Sequence, residues 1–420
     1  MSRYQETLWR KEGTAELDQM VLDFTVGDDV YWDQRLVPFD CRASIAHVRM
    51  LASIDLLTHD EALSLENCLD EIISLEVEGK FKISADHEDC HTAIEFYLTQ
   101  QLGVLGKKVH VGRSRNDQVL TALRLYSLGE LHRLEFLATR LVTSLDGVCG
   151  RAGEIALPGY THMQPAMPSS VGLWLGCFRA ALDDDLVLLH AAREVLDQCP
   201  LGTAAGFGVP VFELDREMTA ADLGFARVQE NSIYAQHSRG KFEGIVLHVA
   251  SQIMYDLNRL ASDLMLFSMR EMAFVILPES LCTGSSIMPQ KRNPDVLELI
   301  RAKYHLVLGD EMTIRHLSAN LISGYNRDVQ LTKGPLMRGL DATAQSLAMM
   351  ARIVTEIEID AKRCRQAMGE ELYATERAYR LVREGVPFRD AYRRIAEEEM
   401  EGKANATAGS ASPTRSKERS

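Results

Sequence analysis

Residues 242–269, FEGIVLHVASQIMYDLNRLASDLMLFSM, decide the fold class of this chain. Apolar side chains recur at helical spacing along one face, at Ile245, Val249, Ile253, Leu257, Leu260, Leu264 and Phe267. A second apolar row contains Val246, Met254, Ala261 and Met265. A helix that is apolar nearly all round has to be buried among other helices, so this segment predicts a helical bundle.

Two other segments repeat the pattern. One follows residue 116, with Leu120, Leu123, Leu134, Leu137, Leu141 and Leu145; the other follows residue 170, with Val171, Trp174, Phe178, Leu182, Leu186 and Leu189. Such helices of about 25 residues are twice the globular average of about 12. Strand signals are rare, and we therefore expect an all-α fold built on an elongated bundle of long helices.

The composition excludes several classes of function. The 420-residue chain carries a net charge of −14, so no basic field attracts nucleic acid or anionic lipid. The first twenty residues lack the apolar core of a signal peptide, and no apolar run reaches membrane-spanning length. We expect a cytoplasmic protein that binds neither nucleic acid nor membranes.

The cysteines do not indicate a metal site. All eight are scattered, without a C-x-x-C pair, which is typical of small buried hydrophobic residues in a cytosolic chain. No group of histidines and cysteines has the spacing of zinc ligands. We therefore expect no metal.

The stretch TGSSIMPQKRNPD, residues 283–295, is a polar loop directly before a predicted helix. Asn293 suits the N-cap and Pro294 the first helical position, so we expect the helix to begin at 294 and to offer backbone N–H groups to an anion. A hydrolase nucleophile is disfavoured because the G-x-S-x-G elbow is absent around Ser285 and Ser286. A phosphate-binding loop is disfavoured because G-x-x-x-x-G-K-[ST] is absent.

Further polar clusters interrupt the helical pattern: DHEDCHTAIE (86–95), HVGRSRNDQ (110–118), GYTHMQPA (159–166) and YNRDVQLTK (325–333). Caps and turns explain each cluster singly, but in a bundle so many polar groups must be satisfied or functional. A substrate with several carboxylates would suit their cations Arg113, Arg115, Lys291 and Lys333 and their donors Ser114, Asn116, Thr161, Asn293 and Gln330. His162 is the candidate for proton transfer at neutral pH, with a buried core histidine as the alternative.

These motifs carry a resemblance. TGSSIMPQKRNPD resembles the signature loop of the fumarase/aspartase superfamily, whose lyases release fumarate by cleaving a C–N or C–O bond. VGRSRNDQV, LPGYTHMQPAMPSS, PLGTAAGFG and YNRDVQLTK are similar to the argininosuccinate lyase family, which includes δ-crystallins. The likeness extends from about residue 20 to about residue 395.

The resemblance implies an all-α subunit of three domains. Its central domain would contribute long helices to a twenty-helix core in a homotetramer, and each active site would be shared between subunits. We accordingly assign residues 1–110 to an N-terminal helical domain and 111–360 to the central domain with the signature loop. Residues 361–400 would form a small, shortened C-terminal domain, and the small polar residues 401–420 a disordered tail.

The resemblance also implies a mechanism, in which Ser285 is the general base that removes a Cβ proton from argininosuccinate. A serine hydroxyl is a weak base, so the Lys291 ammonium and backbone N–H groups of the loop would support its alkoxide. Lys291 and Asn293 would also stabilise the charge developing on the neighbouring carboxylate. His162, paired with Glu298, would assist proton delivery to the departing guanidino nitrogen. The products are arginine and fumarate, and no cofactor takes part.

Substrate binding is implied for two further sets of residues. The carboxylate oxygens of the substrate would be bound by Asn116, Ser114 and Thr161. Its arginine-derived end would be bound by Tyr325, Gln330 and Lys333. The pocket would be completed by His91 and Arg115.

The chain departs from the family pattern at Asp29, where a serine is usual. A carboxylate there would repel a substrate carboxylate, so Asp29 must turn away, pair with an arginine or meet the cationic end of the substrate. Tyr392 also replaces a common histidine in the short C-terminal segment. Two alternatives stay open: a lyase acting on another N-substituted aspartate, and a non-catalytic structural role like that of the lens crystallins.

Overall fold

The computed structural model describes residues 18–84 and 87–409. The α-helices of these ranges are α1 (Gln19–Val26), α2 (Asp29–Asp33), α3 (Val37–Ser53), α4 (His59–Val77), α5 (Cys90–Leu102), α6 (Arg115–Ala152), α7 (Val171–Leu196), α8 (Arg216–Asp222), α9 (Ser232–Ser238), α10 (Lys241–Phe267), α11 (Asp295–Ser318), α12 (Lys333–Glu356), α13 (Ala361–Gln366), α14 (Ala374–Arg383) and α15 (Phe388–Gly409). The strands are β1 (Ala156–Thr161), β2 (Gln164–Ser170), β3 (Val275–Ile276) and β4 (Glu358–Ile359). The predicted all-α fold class is confirmed.

The longest helices are α6, α7, α10, α11 and α12, with 38, 26, 27, 24 and 24 residues. In α10 the two predicted apolar rows are buried, apart from the partly exposed Ile245 and Met265. Leu257, Leu260 and Leu264 are at most 1% exposed. Burial of each such leucine stabilises the fold by about 1.5–3 kcal/mol.

Two compact units are distinguishable. Unit 1 contains the described residues up to Leu141, Leu182–Ala261 and Glu298–Met350. Unit 2 contains Val142–Ala181, Ser262–Leu297 and the described residues from Ala351 onward. The segment 111–360 contributes to both units, and the domain boundaries drawn from the sequence at 110 and 360 stay a prediction.

Local sequence explains where the helices of unit 1 begin. At α4, the Thr58 hydroxyl accepts the Glu61 N–H while the Glu61 carboxylate accepts the Thr58 N–H, which forms a capping box. At α5, the Asp89 carboxylate accepts the Thr92 N–H at 2.9 Å. This cap also fixes the position of His91, which lies in the first turn of α5.

An antiparallel hairpin in unit 2 was not anticipated from the sequence. β1 pairs with β2 through a register that joins Thr161 to Gln164, so His162 and Met163 form the two-residue turn. Both turn residues have positive φ, 53° and 61°. Three prolines in LPGYTHMQPAMPSS oppose a helix here, which leaves extended backbone as the alternative.

The C-terminal prediction needs a correction. α15 continues to Gly409, so the predicted tail from residue 401 begins as helix; the segment EGKANATAG contains three alanines, the strongest helix former. Residues 410–420 lie outside the described residues, as do the N-terminal residues 1–17. Within the described ranges, no helix combines the length and apolarity needed to span a bilayer.

Candidate active site

The cluster HVGRSRNDQ forms the entry to α6, and Asp117 holds it in place. Its buried carboxylate accepts the backbone N–H groups of Ser114, Gly202 and Ala204 at 2.9, 3.0 and 2.8 Å. Burial raises the pKa of Asp117, while these N–H groups oppose the rise. The carboxylate therefore ties the start of α6 to the PLGTAAGFG loop, a role that sequence reasoning missed although Asp117 lies within a quoted motif.

Arg115 is held by acidic side chains. Its guanidinium donates to Glu88 at 2.8 Å and to the Thr92 hydroxyl at 3.0 Å, and it pairs with Asp89 at 3.0 Å. By contrast, the Asn116 side chain has no hydrogen-bond partner among the described residues. Asn116 thus offers its side-chain donors to a ligand at the N-terminus of α6, the positive end of a long helix dipole.

His91 forms a buried pair with Asp40, its Nδ1 lying 2.5 Å from Oδ2 of the carboxylate. Burial alone would lower the pKa of His91, but the Asp40 carboxylate raises it on balance. The same contact lowers the pKa of Asp40 against the effect of its own burial. Arg113 is buried beside this pair and donates to Ser44 Oγ at 2.8 Å. This bond anchors Arg113 to α3.

Three of the predicted binding residues meet at one cavity in unit 1. The cavity has a volume of about 330 Å³ and is lined by His91, Thr92, Glu95, His110, Arg113, Ser114, Arg115 and Gln118. Its polar lining combines two cations, Arg113 and Arg115, with the Glu95 carboxylate. Burial, followed by the nearby Arg113, lowers the pKa of His110 to about 4, so that side chain is a neutral imidazole here.

Lys333 is buried between two carboxylates. Its Nζ lies 2.5 Å from Asp33 Oδ1 and 3.3 Å from Asp29 Oδ2. Asp29 thus pairs with a lysine. From the sequence we expected it to pair with an arginine, to turn away from the site, or to meet the cationic end of the substrate. Burial opposes the charge on Lys333, but Asp33 and then Asp29 raise its pKa, so the ammonium is maintained.

Gln330 lies close to this pair in the chain and is itself anchored. Its Nε2 donates to the Thr25 carbonyl at 2.9 Å, and its Oε1 accepts from Arg327 at 3.0 Å. Gln330, Thr25 and Asp29 line a second cavity, of about 620 Å³. Tyr325 lies outside that lining, its ring 5.8 Å from the Arg239 guanidinium.

The signature loop in unit 2 is closed at its base. Thr283 and Asn293 exchange two backbone hydrogen bonds of 3.0 and 2.9 Å, and the Thr283 hydroxyl bonds the Asp295 carboxylate. α11 begins at Asp295, one residue later than predicted, and Asn293 donates from Nδ2 to the Gly284 carbonyl at 3.4 Å. The loop between these ends is mostly exposed.

Ser285 lies within this loop and accepts backbone donors. The Met288 N–H donates to Ser285 Oγ at 3.2 Å and the Ile287 N–H at 3.5 Å. The Lys291 N–H closes the following turn onto the Met288 carbonyl at 3.0 Å, while the Lys291 side chain is exposed. Donors aimed at a hydroxyl oxygen stabilise its deprotonated form.

The remaining predicted residues are distributed over both units. Thr161 and His162 lie at the exposed end of the hairpin in unit 2, so the alternative of a buried core histidine is wrong. Glu298 is exposed on α11, in unit 1. Neither the His162 nor the Glu298 side chain has a hydrogen bond or ion pair within residues 18–84 and 87–409. Their pairing stays a prediction.

One group of side chains among the described residues has the spacing of metal ligands: Asp40, Cys90 and His91. However, the His91 Nδ1 is engaged by Asp40, and burial raises the pKa of the Cys90 thiol well above its usual range. A neutral thiol is a poor ligand, because metals bind the thiolate. The trio is therefore explained by hydrogen bonding.

Comparisons with known proteins add independent information. A family model described as "Lyase" matches residues 14–309. The chain is 51% identical over 392 residues to the argininosuccinate lyase of Thermotoga neapolitana, which covers 93% of this chain and 98% of that relative. It is 47% identical to the argininosuccinate lyase of Sorangium cellulosum, covering 93% of this chain and 90% of the relative.

Solved structures show the same fold at low identity. An EDDS lyase in complex with formate matches with a TM-score of 0.81 at 24% identity, covering 93% of this chain and 78% of that one. The class II fumarase of Schistosoma mansoni matches with a TM-score of 0.74 at 16% identity, covering 84% of each chain. At these identities the likeness concerns the fold alone.

Proposed function

Because the chain belongs to the argininosuccinate lyase family, we propose that it cleaves argininosuccinate reversibly to L-arginine and fumarate, as a carbon–nitrogen lyase of arginine biosynthesis. The observation that carries this proposal is the sequence identity to relatives of that name along nearly their whole length. The residues of the candidate site supply chemistry that suits the reaction, in two parts.

The first part is β-elimination at the signature loop. Ser285 takes the Cβ proton, the C–N bond breaks with its electrons passing to the guanidino nitrogen, and a C=C bond forms fumarate. The Met288 N–H and the Lys291 ammonium favour the serine alkoxide that this step needs. Lys291 and Asn293 then offset the negative charge that develops on the neighbouring carboxylate.

The second part is proton delivery to the departing nitrogen, which we assign to His162 supported by Glu298. An exposed imidazole can shuttle protons near neutral pH. Because both side chains are unpartnered within the described chain, we propose that other subunits of a homotetramer bring such groups together. Exposed apolar residues on the long helices, such as Leu173 (69%), Leu299 (61%) and Leu306 (65%), support assembly through these helices.

Substrate binding is assigned to the groups that can offer donors. The carboxylates of the succinyl part would be bound by Asn116, Ser114 and Thr161, and the arginine-derived end by Tyr325, Gln330 and Lys333. Arg115 and His91 would hold the polar wall behind them, since their charges already have carboxylate partners. We further propose that the enzyme works in the cytoplasm without a cofactor.

The experiment is direct. Purified protein mixed with argininosuccinate is expected to raise the ultraviolet absorbance as fumarate forms, and arginine should appear in equal amount. N-substituted aspartates that lack the arginine-derived part serve as control substrates. If none of them, including argininosuccinate, releases fumarate at high enzyme concentration, the proposal is wrong; release from a different aspartate alone would favour the related-lyase alternative.

A further inference from the structure

His91 lies between a buried carboxylate and a cavity. Its Nδ1 lies 2.5 Å from Oδ2 of Asp40, which is in the first turn of α3. His91 also lines the 330 Å³ cavity, together with Ser114 and Arg115. Among the described residues, its Nε2 contacts only the weak partner Cys90 Sγ, at 3.9 Å. Because Nδ1 is committed to Asp40, Nε2 is the ring nitrogen left for a ligand.

The charge of this imidazole is decided by its neighbours. Burial opposes the charged form, and so does the dipole at the start of α5. Three carboxylates favour it, Asp40 first, then Asp89 and Asp33, and on balance they raise the pKa of His91. The imidazolium form is therefore favoured near neutral pH, and in that form both ring nitrogens are donors.

Two of these three carboxylates are committed to other cations. Asp89 pairs with Arg115 at 3.0 Å, and Asp33 pairs with Lys333 at 2.5 Å. Each of these cations offsets part of the negative charge that would otherwise act on the imidazole. The third carboxylate therefore has the largest part in keeping the ring charged.

Asp40 is that third carboxylate, and its ion-pair partner is His91. Its side chain is 1% exposed, and its Oδ1 accepts the Ser44 hydroxyl at 3.4 Å. Burial raises the pKa of Asp40, but His91 and then Arg113 lower it on balance. Arg113 itself donates to Ser44. Asp40 and His91 thus stabilise each other's charged form.

The other groups of the cavity indicate an anionic ligand. The lining contains the cations Arg113 and Arg115, and its carboxylate is Glu95, whose pKa is raised by burial against the effect of both arginines. His110 is neutral there, as described above. An Nε2–H of a charged His91 would add a third positive donor, which suits a carboxylate. A neutral ring that donates from Nδ1 would instead present a bare Nε2 acceptor, which repels a carboxylate.

We propose that Asp40 is a positioning residue that keeps His91 in the imidazolium form, so that the Nε2–H of His91 binds a carboxylate of the fumarate part of the substrate. The inference rests on the proposed function and makes His91 a binding group rather than only a part of the pocket wall. Asp40→Asn keeps an oxygen that can accept the Nδ1–H but removes the charge. This substitution therefore separates the position of the ring from its protonation.

Fumarate binding, measured by isothermal titration calorimetry, tests the proposal without any turnover. At about pH 7.5, Asp40→Asn and His91→Gln should each weaken fumarate binding by about 10- to 100-fold, the range of a lost charge-assisted hydrogen bond. The double variant should bind no more weakly than His91→Gln, because both substitutions remove the same interaction. Additive losses would overturn the proposal, and so would wild-type affinity in His91→Gln, a result that does not depend on the folding of Asp40→Asn.

The pH dependence separates protonation from structure. In Asp40→Asn the main carboxylate that offsets burial is gone, so the pKa of His91 should fall and the imidazolium should return only as the pH is lowered. The loss of fumarate affinity in this variant should therefore shrink between about pH 7.5 and about pH 5.5, whereas the loss in His91→Gln should stay the same. An equal loss at both pH values in Asp40→Asn would mean that Asp40 has a structural role only, and the proposal would be wrong.

Proton uptake tests the charge of His91 in the wild type. Titrations in two buffers of different ionisation enthalpy count the protons that are taken up with fumarate. Because His91 is already protonated, the wild type and His91→Gln should take up equal numbers at about pH 7.5, while Asp40→Asn should take up more, by at most about one proton per site. A greater uptake in the wild type than in His91→Gln would show a neutral imidazole and contradict the proposal.

The controls distinguish this inference from the proposed function. Glu243→Gln changes another buried carboxylate of unit 1, outside the lining of the cavity, and should bind fumarate like the wild type at both pH values. Circular dichroism shows whether each variant folds. If the wild type binds fumarate and cleaves argininosuccinate but His91→Gln binds fumarate equally well, this inference alone is overturned. A wild type with neither fumarate binding nor lyase activity overturns the proposed function as well.

Discussion

The residues proposed to bind the substrate and those proposed to transform it lie in contrasting surroundings. In unit 1, Lys333 is 2% exposed and Asp33 fully buried, each with charged partners. The catalytic candidates Ser285, Lys291 and His162 lie in unit 2, on the signature loop and the hairpin tip, where Ile287 is 83% and Met163 67% exposed. We call the buried, paired residues around Lys333 and Asp117 the binding side, which forms a fixed network. We call the signature loop and the hairpin tip the catalytic side, which consists of exposed segments.

The contrast indicates how the work is divided. Buried charges stabilise a protein only when they are paired and hydrogen-bonded, so the binding groups must be in position before any substrate arrives. Exposed loops have few packing contacts, and their groups can change surroundings when a substrate or another subunit covers them. Mutations on the catalytic side should therefore affect the rate, and mutations on the binding side should affect stability together with KM.

The largest expected effect is that of Ser285→Ala. Loss of the general base should lower kcat by about 10²–10⁴-fold, because proton abstraction then falls to water. The thermal unfolding temperature should stay at the wild-type value, since the hydroxyl only accepts two backbone donors on an exposed loop. Fumarate release and a melting curve on the same preparation test both expectations.

Two controls sharpen this result. Ser286→Ala removes the exposed neighbouring hydroxyl and should keep most of the activity. Mixing Ser285→Ala with His162→Asn should restore part of the activity, provided that sites are shared and subunits exchange. If Ser286→Ala is as inactive as Ser285→Ala, the assignment of Ser285 as the general base is wrong. If the mixtures stay inactive although subunits have exchanged, the proposal that active sites are shared between subunits is wrong.

A smaller effect is expected for Asp117→Asn, on the side of the fixed network. The amide presents an NH₂ group or a single oxygen to three converging backbone donors, and leaving buried donors unsatisfied costs about 1–3 kcal/mol. We expect a lower unfolding temperature and a higher KM, because Asn116 is displaced with the loop before it. Urea unfolding and steady-state kinetics measure the two.

The matched control lies on the same helix. Asp146 of α6 is exposed and pairs with Arg179 at 3.3 Å, so Asp146→Asn should change the free energy of unfolding by less than about 1 kcal/mol. Equal stability losses in Asp117→Asn and Asp146→Asn would contradict the distinction between a fixed network and exposed ion pairs.

The features of the fold that depend on local sequence patterns could be predicted. The apolar rows of α10 and the start of α11 follow from spacing and capping within one segment. The buried network of unit 1 could not be predicted in this way, because Lys333 and Asp33 are 300 positions apart in the sequence. Nothing in the local sequence around either residue indicates that the two side chains are in contact. For the same reason Asp29 was noticed as an unusual residue but not matched to Lys333.

The hairpin shows a second limit. Its cluster was recognised by its polar residues, yet the turn at His162 and Met163 lacks the glycine or asparagine that normally indicates positive φ. Side chains that adopt this conformation store strain, and strain of this kind concentrates at functional sites. A sequence rule that relies on favourable turn residues therefore misses this turn.

The smallest expected effect tests this strain directly. Met163 has a φ of 61°, a conformation that costs a residue with a side chain about 1–2 kcal/mol and costs glycine almost nothing. Because glycine also loses more backbone entropy on folding, we expect Met163→Gly to stabilise the protein by a net amount of about 0.5–1 kcal/mol. Met167→Gly is the matched control, because Met167 lies within β2 without a positive φ and its replacement should destabilise the hairpin. A higher unfolding temperature than the wild type in Met163→Gly, together with a lower one in Met167→Gly, would show that the exposed hairpin carries strain at the turn beside His162. A loss of stability in both would instead mean that Met163 contributes by packing, and the exposed hairpin tip would then be held as firmly as the buried network.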